Sequence, residues 1–197
     1  WKGPPARYIS AGSSAMSVRF SPDGRWLASD GRGGASLFPQ NGGPPHHIPN
    51  EYWNGFSGDS RFLVTQVIDT STHRVRSISD GKEVNSFDLE PNQNIWVSGA
   101  EIITSPGRGA EDMLVRRGPL IGGEIVPIGE VPEERPRDQA VDDSGRWLAE
   151  VREGGDVLFR SLEALDSSPQ RVERHEGAVS IWPAPGKRFA SADSSGE

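Results

Sequence analysis

The chain has 197 residues, 34% of them hydrophobic, and a formal net charge of -7 from 21 Lys+Arg against 28 Asp+Glu. Gly 24 and Pro 16 make it dense in turns without reaching low-complexity composition, so a folded core is expected. The absence of Cys excludes a disulfide scaffold and thiolate metal sites, and no apolar run reaches the ~18 residues of a membrane span. No leader-like segment opens the chain, and a cytoplasmic setting is expected, although Cys count alone does not identify a compartment. The first residue is Trp1 rather than Met, which points to an excerpt of a longer protein.

Taken in order, Trp1 has the phase of a strand end, and residues 7–10 read as a further strand. A strand then ends at Phe20, and Ser-Pro-Asp-Gly reverses the chain. Pro fixes φ, Asp bonds its own backbone, and Gly24 supplies positive φ. A second strand at 25–29, a Gly-rich hairpin at 30–34 and a third strand at 35–38 follow. The stretch from Gly42 to His47 reads as a polar loop.

Phe20-Ser-Pro-Asp-Gly-Arg-Trp-Leu-Ala28 recurs as Val141-Asp-Asp-Ser-Gly-Arg-Trp-Leu-Ala149. Looser copies begin at Phe56 and Trp182, and a degenerate one at Trp96. These anchors lie 36 to 45 residues apart, and each opens the same series of short strands and turns. Later third strands are expected at 75–78, 113–116 and 157–160, and weaker fourth strands at 83–89, 124–128 and 171–174. Four short strands per unit imply an all-β design, with residues 161–166 making at most one helical turn.

This phrase, with His175-Glu-Gly-Ala-Val179 ahead of the last unit, resembles WD40 repeats of the bacterial type. The resemblance implies a β-propeller of four-stranded antiparallel blades across residues 1–197, with about five repeats anchored near 20, 56, 96, 141 and 182. A window cut from a larger ring is favoured over a five-bladed ring closed by its own termini. The sequence departs from the family pattern: Phe38 and Phe159 stand at the Trp position of the Trp-Asp pair, and neither is followed by Asp. With the His–Ser–Asp–Trp hydrogen-bonded tetrad largely absent, aromatic and aliphatic packing is expected to hold the blades.

No catalytic set is legible: there is no G-x-S-x-G elbow, and Ser13–Ser14 reads as a loop. His46-His47 are adjacent and point to opposite faces of an extended segment, with only Glu51 near, so no metal or cofactor is expected. Gly31-Arg-Gly-Gly-Ala35 lacks the Lys-Ser/Thr of a P-loop, and Asp23, Asp59, Asp142 and Asp143 fall where turns use Asp. The acidic stretch at 130–134 reads as a solvated loop. The acidic net charge and the lack of an Arg/Lys run beyond Arg116-Arg117 disfavour nucleic acid, and nothing points to a membrane.

The resemblance implies a non-catalytic protein-interaction module. It would serve as scaffold or sensor in a larger bacterial protein, beside a STAND-type NTPase, kinase or protease domain and further blades of the same chain. Its partner-binding face would be built from second-to-third strand turns and interblade loops, which carries over to Arg32, His73, Arg74, Arg108, Arg152, Tyr52 and Trp53. Tyr52 and Trp53 have no aromatic counterparts in the first unit, and extra aromatics can mark an interface, although core packing is the simpler reading. The alternative is a propeller of the TolB-like or prolyl-oligopeptidase type, gating access to a hydrolase elsewhere.

Overall fold

A computed structural model describes residues 15–31, 33–131, 136–171, 178–184 and 188–193. The expectations for Trp1, 7–10, Ser13–Ser14, Arg32, 132–135, His175 and 194–197 lie outside them. Every regular element among the described residues is a strand. The first sheet holds β1 (Ala15–Phe20), β2 (Trp26–Gly31), β3 (Gly34–Pro39) and β4 (His46–Pro49). The second holds β5 (Glu51–Phe56), β6 (Phe62–Val67), β7 (Thr72–Ser77) and β8 (Glu83–Asp88). The third holds β9 (Gln93–Ser98), β10 (Glu101–Pro106), β11 (Leu114–Pro119) and β12 (Val126–Glu130). The fourth holds β13 (Asp138–Val141), β14 (Trp147–Val151), β15 (Val157–Ser161) and β16 (Gln170–Arg171). A fifth pairs β17 (Ala178–Ala184) with β18 (Arg188–Asp193). All pairings are antiparallel between sequence neighbours.

The repeated turn forms for the local reason the sequence implies. Ser21 Oγ donates to Asp23 Oδ1 at 2.6 Å and accepts the Trp26 amide at 3.0 Å, while Asp23 Oδ1 accepts the Arg25 amide. Ser57, Asp59, Arg61 and Phe62 repeat these contacts, and in the fourth sheet Asp142 itself accepts the Arg146 and Trp147 amides. Gly24 (φ 71) and Gly145 (φ 67) take the left-handed position, and Ser60 (φ 58) fills it in the second sheet. The third copy differs because its turn is two residues shorter. Val97, not Trp96, faces Ile102 there, as Phe20, Phe56 and Val141 face Leu27, Leu63 and Leu148.

Cores lie between successive sheets rather than within one. Ala28, Leu37 and Ile48 of the first pack on Phe56, Leu63 and Ile78 of the second. Val64 and Val75 meet Ile102 and Leu120, and Ile103 and Val115 meet Val141 and Leu148. Ala149 and Val157 meet Ala178 and Ile181. Period-two alternation makes this work: neighbours such as Leu63 and Val64 point to opposite sheet faces, one toward each adjacent sheet.

Apolar wedging is not the whole of what holds the sheets, which corrects the expectation drawn from the missing tetrad. In the second sheet Glu51, 2% exposed, accepts Thr65 Oγ1 at 2.6 Å, Arg74 Nη1 at 2.8 Å and both Nε and Nη2 of Arg76. In the fourth, Glu150, 0% exposed, accepts Arg152 Nη2 at 3.0 Å and Arg160 Nε at 2.8 Å. The first sheet has a smaller version, with Asp30 accepting the Ser17 amide and hydroxyl. In the third, the buried Thr104 hydroxyl has no partner. Ser29, Thr65, Thr104 and Glu150 occupy one register row, and in two sheets charge-assisted bonds across the strands stand where that tetrad is missing.

The pairing also corrects the placing of two aromatics. Phe38 faces Leu27 while Phe159 faces Ala149, one residue out of step. The row of Phe38 is that of Arg76 and Arg160, whose guanidiniums turn to the buried carboxylates. His46-His47 lie on β4, not in a loop.

Candidate functional site

The first strands of the four complete sheets stand side by side and enclose a cavity of about 630 Å³ at the end where they turn into the second strands. Its walls combine Phe20, Trp96 and Val141 with Arg19, Asn54 and Asp143. The rim is tied together from sheet to sheet. The Asp23 amide donates to Ser60 Oγ at 3.0 Å, the Gly58 amide to the Gly99 carbonyl at 2.8 Å, and Ser98 Oγ to the Asp143 carbonyl at 2.8 Å. Arg117 adds a bond to the Gly145 carbonyl. Such cross-sheet bonds fix the turns relative to one another, so the mouth is preformed.

Turn carboxylates around this mouth are committed to their own loops. The Ser57 hydroxyl holds Asp59 below the ordinary carboxylate range, with the Arg61 amide and guanidinium adding to it. Burial alone would raise Asp142, but the Ser144 hydroxyl and the Trp147 and Arg146 amides outweigh it and lower it. Asp143 is exposed beside it, and none of the hydrogen bonds found within the turn uses its carboxylate. No group of three or more His, Asp or Glu is placed to hold a metal ion among the described residues.

The described residues among those singled out from the sequence lie at the opposite end of the strands. Arg108 is exposed in the turn after β10, and Tyr52 is half-buried at the start of β5. Trp53 packs on the core between the first two sheets with its indole N–H buried. Arg74 divides itself between Glu51 and Glu83, at 2.8 and 3.3 Å. His73 is 4% exposed, stacks on Phe87 at 5.5 Å and bonds the Ser71 carbonyl. Burial lowers its pKa below the usual histidine value. Arg152 is 5% exposed beneath Glu150, with Nε and Nη1 unpartnered. Of this set, Tyr52, Arg74 and Arg108 reach solvent, while His73, Trp53 and Arg152 support the sheets. His46 stacks on Trp26 at 5.6 Å and His47 Nδ1 lies 3.0 Å from Ser36 Oγ, so the pair faces two ways and does not converge.

The cavity escaped sequence reasoning because its walls come from four separate repeats. The signal that could have found it is the row of residues at and before each anchor, Arg19-Phe20, Gly55-Phe56, Trp96-Val97 and Ala140-Val141.

The structure superposes on the β-propeller domain of Cps50 (Swd1) from Myceliophteria thermophila with a TM-score of 0.66 over 92% of the chain. The chain has the β-propeller fold. Its sheets are the blades of that propeller, and the identity over the match is 10%. Kluyveromyces lactis Hsv2 matches with a TM-score of 0.63 over 93% of the chain, again at 10% identity. The propeller spans 67% of the first of these chains and 57% of the second. No family model and no curated protein matches the sequence. No helix among the described residues is long and apolar enough to cross a membrane.

Proposed function

We propose that this propeller is a non-catalytic protein-interaction scaffold whose docking place is the channel mouth at the first-turn end. The observation that carries this reading is the preformed cavity of about 630 Å³, walled by Phe20, Trp96 and Val141 together with polar Arg19, Asn54 and Asp143, and rimmed by cross-bonded turns. A concave site with apolar walls and a few polar groups suits a short protein segment that inserts one apolar side chain. Exposed Asp143 and the net charge of -7 favour a segment with a basic residue beside it. Both propellers that it resembles are longer, which supports a place within a larger ring and a multidomain parent, as scaffold or sensor beside an effector domain.

Tyr52, Arg74 and Arg108 form a second docking surface at the opposite end, favoured by the solvent exposure of Arg108. Selection of displayed random peptides on the immobilised chain separates the two. A fluorescent copy of a selected peptide should bind Asp143→Arg about tenfold more weakly and a Tyr52→Ala/Arg108→Glu variant normally. The reverse pattern assigns docking to the second surface, and undiminished binding to both variants refutes both.

A further inference from the structure

The outermost strand of a sheet presents a row of unpaired backbone groups, and natural sheets blunt such edges with Pro, bulges or short strands. Three of the four complete blades do so here. β4 is four residues long and ends on Pro49, with Pro45 just before it. β12 carries Pro127 and a register shift against β11. β16 is two residues long. β8 has six residues and no Pro, and its one irregularity leaves Val84 unpaired near the start. From Asn85 to Asp88 it pairs with β7 in unbroken register, and no strand among the described residues lies on its other side.

The phase of the ladder decides which groups stay open. The Leu89 amide donates to the Ser71 carbonyl at 3.1 Å. In an antiparallel pair Phe87 and Asn85 then also bond inward, and Ser86 and Asp88 turn N–H and C=O outward. Both residues are exposed. Side chains alternate as well: Phe87 packs on the core shared with Ile102 and Leu120 of the third blade, which puts Ser86 and Asp88 on the other face. Asn85 Nδ2 donates to the Leu120 carbonyl at 2.9 Å and holds the turn between β11 and β12 beside the strand. Ile121 in that turn is 47% exposed. Residues 83–90 carry Glu83, Asp88 and Glu90 and no Lys or Arg.

We propose that the free edge of β8 is a strand-addition site, which takes an extended basic segment of a partner protein as a fifth strand of the second blade. Backbone pairing at Ser86 and Asp88 supplies the attachment, and side chains on alternate faces supply the selection. Residues opposite Ser86 and Asp88 share their face, so the segment carries Lys or Arg there. The residues between them fall on the face of Phe87 and meet Ile121, so they are aliphatic. A second copy of β8 is a poor occupant, because it would set its own Glu83 and Asp88 against the same acidic row. The edge lies on the blade perimeter, three strands out from the inner strand β5 that walls the channel.

The probe is a displayed library of six-residue peptides that alternate Lys or Arg with Val, Ile or Thr. It is panned on the chain carrying Asp143→Arg, so that the channel mouth does not drive enrichment. A fluorescent copy of an enriched peptide should bind Ser86→Pro at least about tenfold more weakly, because Pro deletes an outward N–H and leaves the inward ladder intact. Ser86→Thr should bind it normally. N-methylation of every second peptide residue, made in both phases, repeats the reading without touching the protein, should Ser86→Pro disturb folding. One phase should lose at least about tenfold in affinity and the other little, because only one row of peptide N–H groups faces β8. Two phases that do not differ overturn the proposal and leave charge attraction alone. A panning that enriches no peptide overturns it as well.

Discussion

Replacing Glu150 by Gln tests the claim that buried ion networks hold individual blades. The carboxylate is fully buried and bonds Arg152, Arg160 and, at 3.4 Å, the Gln139 amide, while the two guanidiniums are 5% and 6% exposed. The cluster already carries one excess positive charge, and two donors of Arg152 lack acceptors. Gln keeps the volume but removes the carboxylate charge that both guanidiniums bond, a change that costs about 3–5 kcal/mol. For a chain of this size that corresponds to a fall of about 6–20 °C in Tm. The assay is equilibrium urea unfolding followed by Trp fluorescence and by circular dichroism, whose coincidence checks two-state behaviour. Replacing all three charges together, as Glu150→Leu with Arg152→Met and Arg160→Leu, should recover most of the loss, because no unpaired charge remains. If Glu150→Gln stays within about 1 kcal/mol of the parent, the network is not what the geometry indicates.

His73 gives the propeller a pH dependence of definite sign. Burial lowers its folded pKa below 6.5, so the unfolded chain binds the proton first; stability is full above that value and declines as pH falls through the window beneath it. Urea midpoints at pH 7.5 and 5.5 should differ, and His73→Phe should flatten that slope while leaving the loss at lower pH, where Glu51, Asp59 and Asp142 protonate. Ser60→Ala loses the bond from the Asp23 amide and should cost about 0.5–1.5 kcal/mol, whereas Ser60→Gly loses the same bond but relieves the left-handed backbone and should come out near neutral. Gly24→Ala meets no atom within 4 Å and should cost about 1–2 kcal/mol from φ alone. Gly145→Ala should exceed it by about 1 kcal/mol or more in the same melts, because its Cβ would stand 2.9 Å from Ser98 Oγ and 3.1 Å from Ile103 Cδ1.

The turns were legible in the sequence because their chemistry is local: Ser21, Asp23 and Gly24 act within five residues of one another. The order of strands followed from that punctuation. The ion networks were not legible, since Glu51 meets Thr65 from 14 residues away and Arg76 from 25, and only the strand register brings them together. The degenerate third repeat hid its register because a two-residue deletion in the turn moved the anchor from Trp96 to Val97. His73 and Arg152 read as exposed because they flank second-to-third strand turns. Each is buried by neighbours that sequence does not place beside it, Phe87 in one case and Glu150 in the other. The cavity, built from one strand of each of four blades, is the most non-local feature and left no trace in any single motif.

Amide hydrogen exchange at Gly58 tests the stacking of blades most directly. In isolation this residue sits in an exposed turn, and its amide is held only by the Gly99 carbonyl of the next blade at 2.8 Å. The fold described here predicts exchange slowed by at least about a thousandfold, tracking global unfolding. Exchange at the rate of a free turn would contradict the packing of the second blade on the third, and with it the preformed channel mouth.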